Sequence, residues 1–542
     1  MSDKRIMNAP AIALDEFVEG VVDVYPAKAA KKRRKHIVIR DPAEKQRIEA
    51  NERTIPGIIS QRGCCYAGCK GVVIGPIGDV VHIVHGPIGC SFYAWLTRRN
   101  LFRPRADGQN YMQYCFSTDM EEKDIIFGGE KKLKAAIQEA YDIFKPKAIS
   151  VLATCPVGLI GDDINAVSKE MSEKIGIQVI PFSCEGYKGV SQSAGHHIAN
   201  NNLFKFVVGQ DDIEQKEHTI NILGEYNTGG DTWEIERVLN RCGINVLSVF
   251  TGNGSYSEMR QSHMADVNLL MCHRSVNYIA DMMETKFGIP WVKVNFIGIK
   301  AMAKSLRKLA RFYDDPKLTE RVEQVIEEEV AKAEEGIARY IPRLKGKTVI
   351  LFVGGSRAHH YQGLFRELGM VPIVAGYEFA HRDDYEGREV LPDIKVIADN
   401  RNIEDLAVER DPERYNPRKD EETLKRLKEE EVIDTYHGMF PDMGSGTMAI
   451  DDVSHKELGL LIKKLKPDMV CSGIKDKYVI EKFGVPSKQL HNYDYSGPFA
   501  GFRGAVNFAK DLDMLIHNPA WKLTTPPWKK KPVLKADLAV TT

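Results

Sequence analysis

From Ala148 onward the chain repeats one pattern: a short apolar run, a turn of Gly, Ser, Cys or Asn, then a helix-forming stretch. The runs are AISVLATCPVG, IQVIPFSCEGYKG, TINILGEYNTGGD, INVLSVFTGNGS, VNLLMCHRS, TVILFVGGSR, VPIVAGYEFAH and DMVCSGIKDK. Near-continuous apolar strands alternating with helices specify parallel sheets covered on both faces. There are too many strands for one sheet of ordinary size, so the fold class reads as α/β with two or three doubly wound domains. With 542 residues, 43% of them hydrophobic, the chain can bury cores of that number.

The remaining segments fit around this repeat. Residues 1–50 read as an extended or partly helical arm. Its basic run Lys31–Lys35, like Lys529–Lys531 near the other end, reads as solvated. STDMEEKDIIFGGEKKLKAAIQEAYDIF predicts a loop and then an amphipathic helix with Leu133, Ile137 and Tyr141 on one face. Leu318–Leu344 predicts a long charged helix with an apolar stripe at Val322, Val325, Ile326, Ile337 and Tyr340, marking a domain boundary. Residues 384–440, poor in apolar side chains, read as a surface insertion outside the core, with its own helix at Glu421–Glu431. The expected division is therefore 51–215, 216–345 and 346–490, with 491–542 returning to the first domain.

Composition excludes several classes. Lysine plus arginine and aspartate plus glutamate number 75 each, so no global field favours nucleic acid or a membrane surface. Ten cysteines in a chain this long are too sparse for a disulfide scaffold. MSDKRIMNAPAIALDEF lacks the pattern of a signal peptide, and no apolar stretch reaches the ~20 residues of a membrane span. The expectation is a cytoplasmic protein in a reducing compartment, its thiols available to metal. There is no GxxxxGK[ST] for ATP phosphates, GNGSYSE lacks the third glycine of a dinucleotide fingerprint, and neither CxxC nor GxSxG occurs.

The chemistry-bearing residues collect in two ways. The stretch Arg62–Cys90, RGCCYAGCKGVVIGPIGDVVHIVHGPIGC, holds Cys64, Cys65, Cys69 and Cys90 among seven glycines and two histidines. Glycine allows close backbone approach, and thiolates are the ligands that iron–sulfur clusters and zinc prefer. A single buried cysteine is usually only a compact hydrophobe, and Cys115, Cys242 and Cys471 are read that way. Elsewhere, polar and thiol residues fall just past strand ends, where open parallel sheets bind ligands: Cys155, Cys184, Gln192, His196, Cys272, Arg274, Arg357, Glu378, His381, Lys475 and His491. The reactive centre of an enzyme built this way is a metal cluster.

RGCCYAGCKGVV, HGPIGC, CPVGLIGDDI, CEGYKGVSQSAGHHIAN, CHRSVNYI, GGSR, GYEFAHRDDY, GIKDK, HNYDYSGP and NPAW together resemble the α subunit of nitrogenase component 1, the molybdenum–iron protein, from about Pro56 to about Trp528. The resemblance implies three doubly wound domains. It implies that Cys64, Cys90 and Cys155 hold half of a P-cluster (8Fe–7S) against a β chain, in an α2β2 heterotetramer. Cys272 would bind the terminal iron of a FeMo-cofactor (7Fe–Mo–9S–C with homocitrate) and His491 its molybdenum. Val72, Arg98, Gln192, His196, Arg357 and Phe379 would pack around that cofactor, with the Gly354–Gly355 turn. Val72 would act as a steric gate, His196 as a proton donor, and Lys475 and Gln192 as contacts on the homocitrate side. Phe127 would lie where the ATP-hydrolysing iron protein, a homodimer, docks.

The implied activity is reduction of dinitrogen to ammonia with hydrogen as by-product. Cys65 and Cys69 stand where other members carry small residues and are read as extra thiols, while His273 replaces a frequent tyrosine. The insertion is similar to one in clostridial and archaeal members. Alternatives are a cofactor-assembly scaffold of the same fold, a related reductase acting on a tetrapyrrole, or a vanadium or all-iron cofactor in place of the molybdenum one.

Overall fold

The computed structural model describes residues 18–20, 22, 25–50, 62–96, 100–214, 216–394, 403–473, 476–491 and 496–524. The expected Arg98 and Lys475 lie outside the described residues, as do Tyr493 and Asp494 after His491.

In chain order the strands are β1 (Ile37–Ile39), β2 (Val81–His85), β3 (Ala148–Ala153), β4 (Gln178–Phe182), β5 (Thr219–Glu225), β6 (Asn245–Thr251), β7 (Val267–Leu270), β8 (Trp291–Lys293), β9 (Thr348–Phe352), β10 (Val371–Gly376), β11 (Met448–Ile450), β12 (Met469–Ser472) and β13 (Ser487–Gln489). They form three sheets, ordered β2-β3-β4, β6-β5-β7-β8 and β1-β11-β10-β9-β12-β13. Every pairing is parallel except β1 with β11. The α/β expectation with parallel sheets is met, and each of the repeated apolar runs forms a strand. β3 and β5 are buried along their whole length, as strands covered on both faces must be. Missed from sequence were β1, β8, β11 and β13, each of three residues and too short to show a run, and β2, hidden in the glycine- and cysteine-rich stretch.

The second and third sheets share one hydrophobic cluster, from Ile222 and Leu269 to Leu351 and Cys471. The predicted long helix is Pro316–Ala338, started by the Asp315 side chain accepting from the Lys317 N–H, and its stripe Val322, Val325, Ile326 and Ile337 enters that cluster. In the helix Glu130–Phe144, Leu133 and Ile137 are buried as expected, but Ala140 takes the inward place and Tyr141 stays half-buried. Among the described residues no helix is long and apolar enough to cross a membrane.

Two expectations need correction. The basic run in the arm is only partly solvated. Arg33 is buried, its guanidinium paired with Glu457 (Nε–Oε1 2.7 Å, Nη2–Oε2 2.9 Å) and donating to the Asp451 carbonyl. That fork pins the helix Ala27–Arg34 and lets β1 extend the third sheet. The insertion is also less superficial than its composition suggests. Its helix, Glu421–Glu429, is largely exposed, but Leu427, Val432, Ile433, Met439 and Phe440 are buried in the shared cluster, and Asp384 and Tyr385 are buried at its other end. The few apolar residues are spaced to point inward, which an average over the segment hides.

Arg33→Met would strand the Glu457 carboxylate in the interior, at a cost on the order of 3–5 kcal/mol. The expected outcome is faster tryptic cleavage between Lys28 and Lys35. An unchanged cleavage rate would show that β1 alone holds the arm.

Candidate functional site

The site begins with two helices that cross backbone to backbone. Ala67–Ile74 is wound as a wide π-type helix, with the Gly75 N–H donating to the Lys70 carbonyl at 3.0 Å. Such windings recur at functional sites. It lies against the helix Gln192–Phe206 so closely that a Cβ on Gly195 would sit 1.9 Å from the Cys65 carbonyl oxygen, and one on Gly68 1.9 Å from that of Gln192. These two glycines therefore serve helix contact. The Gly63 N–H donates to Gln192 Oε1 at 2.7 Å, fixing the amide's orientation.

The crossing borders a cavity of about 770 Å³. Its wall includes Val72, Gln192, His196, Cys272, Gly354, Gly355, Arg357, Phe379 and His491, residues that the sequence reading drew from six separate motifs. Gln192 and His196 share a helix face, four residues apart. Cys272 follows β7 at the N-cap of the helix His273–Phe287. Its Sγ lies 3.4 Å from Ser275 Oγ, which in turn is 3.0 Å from His196 Nδ1. Gly355 turns with φ +61°, and a Cβ there would stand 3.3 Å from Cys272 Sγ. A Cβ on Gly354 would collide with the Phe379 ring, which meets His196 edge to face at 5.5 Å.

His491 Nε2 is 3.1 Å from the Gly354 carbonyl. Donation to that oxygen puts the neutral ring's lone pair on Nδ1. Arg357 opens the helix Arg357–Glu367, with Nη1 3.8 Å from Asp231 Oδ2. Asp231 Oδ1 also accepts from the N–H groups of Phe499 and Ala500, at 2.7 and 2.9 Å. The cavity lining thus brings together a thiol, an imidazole and a guanidinium. Among the described residues no three His, Cys, Asp or Glu side chains are arranged to hold a single ion.

A second centre lies at the surface. Cys64 and Cys155 are exposed and Cys90 is half-buried. Burial, then the neighbouring Cys155 and Cys64 thiols, raise the Cys90 pKa. A Cβ on Gly186 would come 2.9 Å from Cys155 Sγ and 3.4 Å from Cys64 Sγ, so the thiols gather around that glycine. Tyr93, Tyr187 and Leu159, all largely exposed, provide apolar surface on the segments that carry them. Cys90 also lines the cavity, so one residue borders both centres. Phe127 is 86% exposed beside Ile125 and Ile126 at the end of a short helix.

Some expected neighbours fall elsewhere. Arg274, which follows Cys272, is fully buried and turns to His197 Nε2 (2.8 Å) and Asp383 (3.5 Å). His273 stacks on Tyr436 at 4.2 Å and approaches Asp384 at 2.8 Å. Cys184 is buried, with its Sγ 3.6 Å from the Ala153 carbonyl, and His381 caps the helix Arg382–Glu386. Cys65 and Cys69 are core residues, as are Cys242 and Cys471, while Cys115 is half-buried beside Ser91 at 3.2 Å. The sequence reading missed Glu225, Tyr226 and His360 on the wall, whereas Ser275 stands beside Cys272 as its nearness in sequence suggests. His360 sits three residues after Arg357, so helical spacing could have found it. A glutamate ending the apolar run TINILGE is a signal of the same kind.

The family described as nitrogenase component 1 type oxidoreductase matches residues 64–517. The chain belongs to this family. It is 53% identical to the nitrogenase molybdenum-iron protein alpha chain of Methanosarcina barkeri, over 96% of this chain and 97% of that one. It is 54% identical to the protein of the same name from Clostridium pasteurianum, over 95% and 97%. The solved structure titled "Nitrogenase Cp1 at pH 6.5" superposes with a TM-score of 0.92 at 53% identity, covering 95% of this chain and all of that one. Relatives bearing that name support a catalytic subunit of an oxidoreductase and do not favour the assembly scaffold.

Two outcomes follow from this geometry. Gly195→Ala should force the crossing helices apart and destabilise by about 1–3 kcal/mol or more, whereas Gly71→Ala, with nothing within 4 Å of its Cβ, should keep the wild-type melting temperature. Equal melting temperatures for both variants would contradict the close crossing. Glu225 is fully buried, and burial followed by Asp231 raises its carboxyl from 4.5 to about 7 against the opposing pull of Arg357. Its proton-linked stabilisation is complete below the ordinary value and is lost as pH rises through about 7. Thermal melting across that window should therefore fall less steeply in Glu225→Gln than in the wild type.

Proposed function

We propose that the cavity holds a FeMo-cofactor between Cys272 and His491, and that Cys64, Cys90 and Cys155 hold half of a P-cluster completed by thiolates of a β chain. The observation that carries this reading is the single cavity wall bearing both Cys272 and His491, 219 positions apart in sequence, together with Gln192, His196, Arg357 and Phe379. The residues present fit such a group. The cavity is within the ~300–1,000 Å³ range of small-molecule sites, a soft thiolate suits iron, and a neutral imidazole suits the heterometal. The Gly355 turn leaves the approach to Cys272 Sγ clear of any side chain of its own.

When bound, the cofactor would supply the metal surface on which electrons passed from an iron protein through the P-cluster reduce dinitrogen to ammonia, with hydrogen as by-product. The chain's own residues bind, orient and protonate. Ser275 Oγ links Cys272 Sγ to His196 Nδ1, which fixes the imidazole on the cavity wall, where it would act as a proton donor. Gln192, held by the Gly63 N–H, would position the organic acid, and Lys475 would join it. Arg357 balances the negative charge of the cluster, as Arg98 would, and Val72 limits access to one face. Three thiolates from one chain are too few to enclose a large cluster, so an α2β2 assembly follows, with the exposed Phe127 as a docking point for the iron protein that hydrolyses ATP.

The test is metal content and the resting-state paramagnetic signal of the anaerobically purified complex. Molybdenum near one atom per chain is expected, whereas vanadium or no heterometal would overturn the cofactor assignment. Cys272→Ala and His491→Ala should each lose most molybdenum while keeping the P-cluster. Full molybdenum and an unchanged signal in either variant would remove that residue from the site.

A further inference from the structure

Behind the Cys272 end of the cavity stands a lysine that the cofactor reading leaves without a role. Lys293 ends β8, and its register opposite Leu270 of β7 sets it beside the strand that delivers Cys272. It keeps some accessible surface but lies deep in the fold. Its Nζ donates to the carbonyls of Met271 (2.5 Å) and Val294 (3.2 Å) and reaches His360 Nε2 at 3.0 Å. His360 lines the cavity.

An ammonium has three donors and no acceptor, and here all three are matched. Nε2 of His360 must then be the accepting nitrogen, so the ring is neutral and carries its proton on Nδ1. We propose that Lys293 is a positioning residue for the cavity: it fixes His360 as the Nδ1–H tautomer and sets a positive charge behind the Cys272 end of the metal group. This rests on the cofactor reading above. Two tendencies of the site bear on it. Burial pulls the Lys293 pKa down to about 7 while the Cys272 thiolate pulls it up, and burial followed by Lys293 lowers that of His360. An anionic group in the cavity would hold the ammonium charged. Removing the charge should make that group harder to reduce, because net charge and hydrogen bonding set the potentials of iron–sulfur groups.

The experiment uses the anaerobically purified holo complex with Lys293→Met, Lys293→Gln and Lys293→Arg. It measures molybdenum per chain, the resting paramagnetic resonance, and the cofactor midpoint potential by mediated titration. Met and Gln should shift the midpoint to more negative values, while Arg keeps it near wild type. Met alone should also alter the resonance, since Gln still offers His360 an N–H donor. If Met and Gln fail to retain molybdenum but Arg retains it, the charge is what the group requires, and the proposal stands. Full molybdenum with wild-type potential and resonance in Met and Gln would overturn it. So would loss of molybdenum in all three variants, because the lysine would then be a core residue only. A wild-type complex without molybdenum would instead sink the cofactor reading itself.

Discussion

The close crossing at Gly68 and Gly195 is the constraint on which both centres depend. Two helical backbones meet there with no side chain between them, which only glycine allows. Because the Ala67–Ile74 helix is held so tightly, Val72 lines the chamber while Cys64, just before the helix, stands at the surface thiols. Because the Gln192 helix is held equally tightly, Gln192 and His196 reach the same wall. The strands then contribute from the other directions: β7 brings Cys272, β9 the Gly354–Arg357 turn, β10 Phe379 and β13 His491. Three separate sheets converge on one chamber because their carboxyl ends face it.

Much of this was legible in the sequence, for a definable reason. Strands buried on both faces leave an unbroken apolar run, and polar residues just after such a run sit where ligands bind, so Cys272 and Arg357 could be named without coordinates, whereas His491 follows the polar three-residue β13 and rested on the motif HNYDYSGP. What failed to show was anything decided by packing between distant segments. The basic run at Lys31–Lys35 looks solvated until Glu457, more than four hundred positions away, is placed opposite Arg33. The glycines of the first thiol stretch read as room for a bulky group, but Gly68 makes room for the Gln192 helix. Arg274 is adjacent to Cys272 in sequence, yet helix geometry sends it away from the chamber, toward His197 and Asp383.

The charged segment after Asp384 is tied to the site more directly than its composition suggests. Tyr436 stacks on His273, the first residue of the helix that starts at Cys272, and its hydroxyl donates to Asp383 at 2.5 Å. Ile403, Leu406 and Val408 pack on the cluster beneath the Gln192 helix. Its described residues thus back two walls of the chamber, and none of them lines it.

The arm has a different consequence, for solubility. Without β1, the third sheet would end at β11, leaving a row of unpaired N–H and C=O groups of the kind on which another chain can grow a strand. β1 closes that flank and becomes the new rim, but it is only three residues long and is bracketed by Lys31–Lys35 on one side and Arg40 on the other. A short rim flanked by like charges is a poor template for further pairing. The same basic run that anchors the arm through Arg33 thereby guards the sheet against edge-to-edge aggregation.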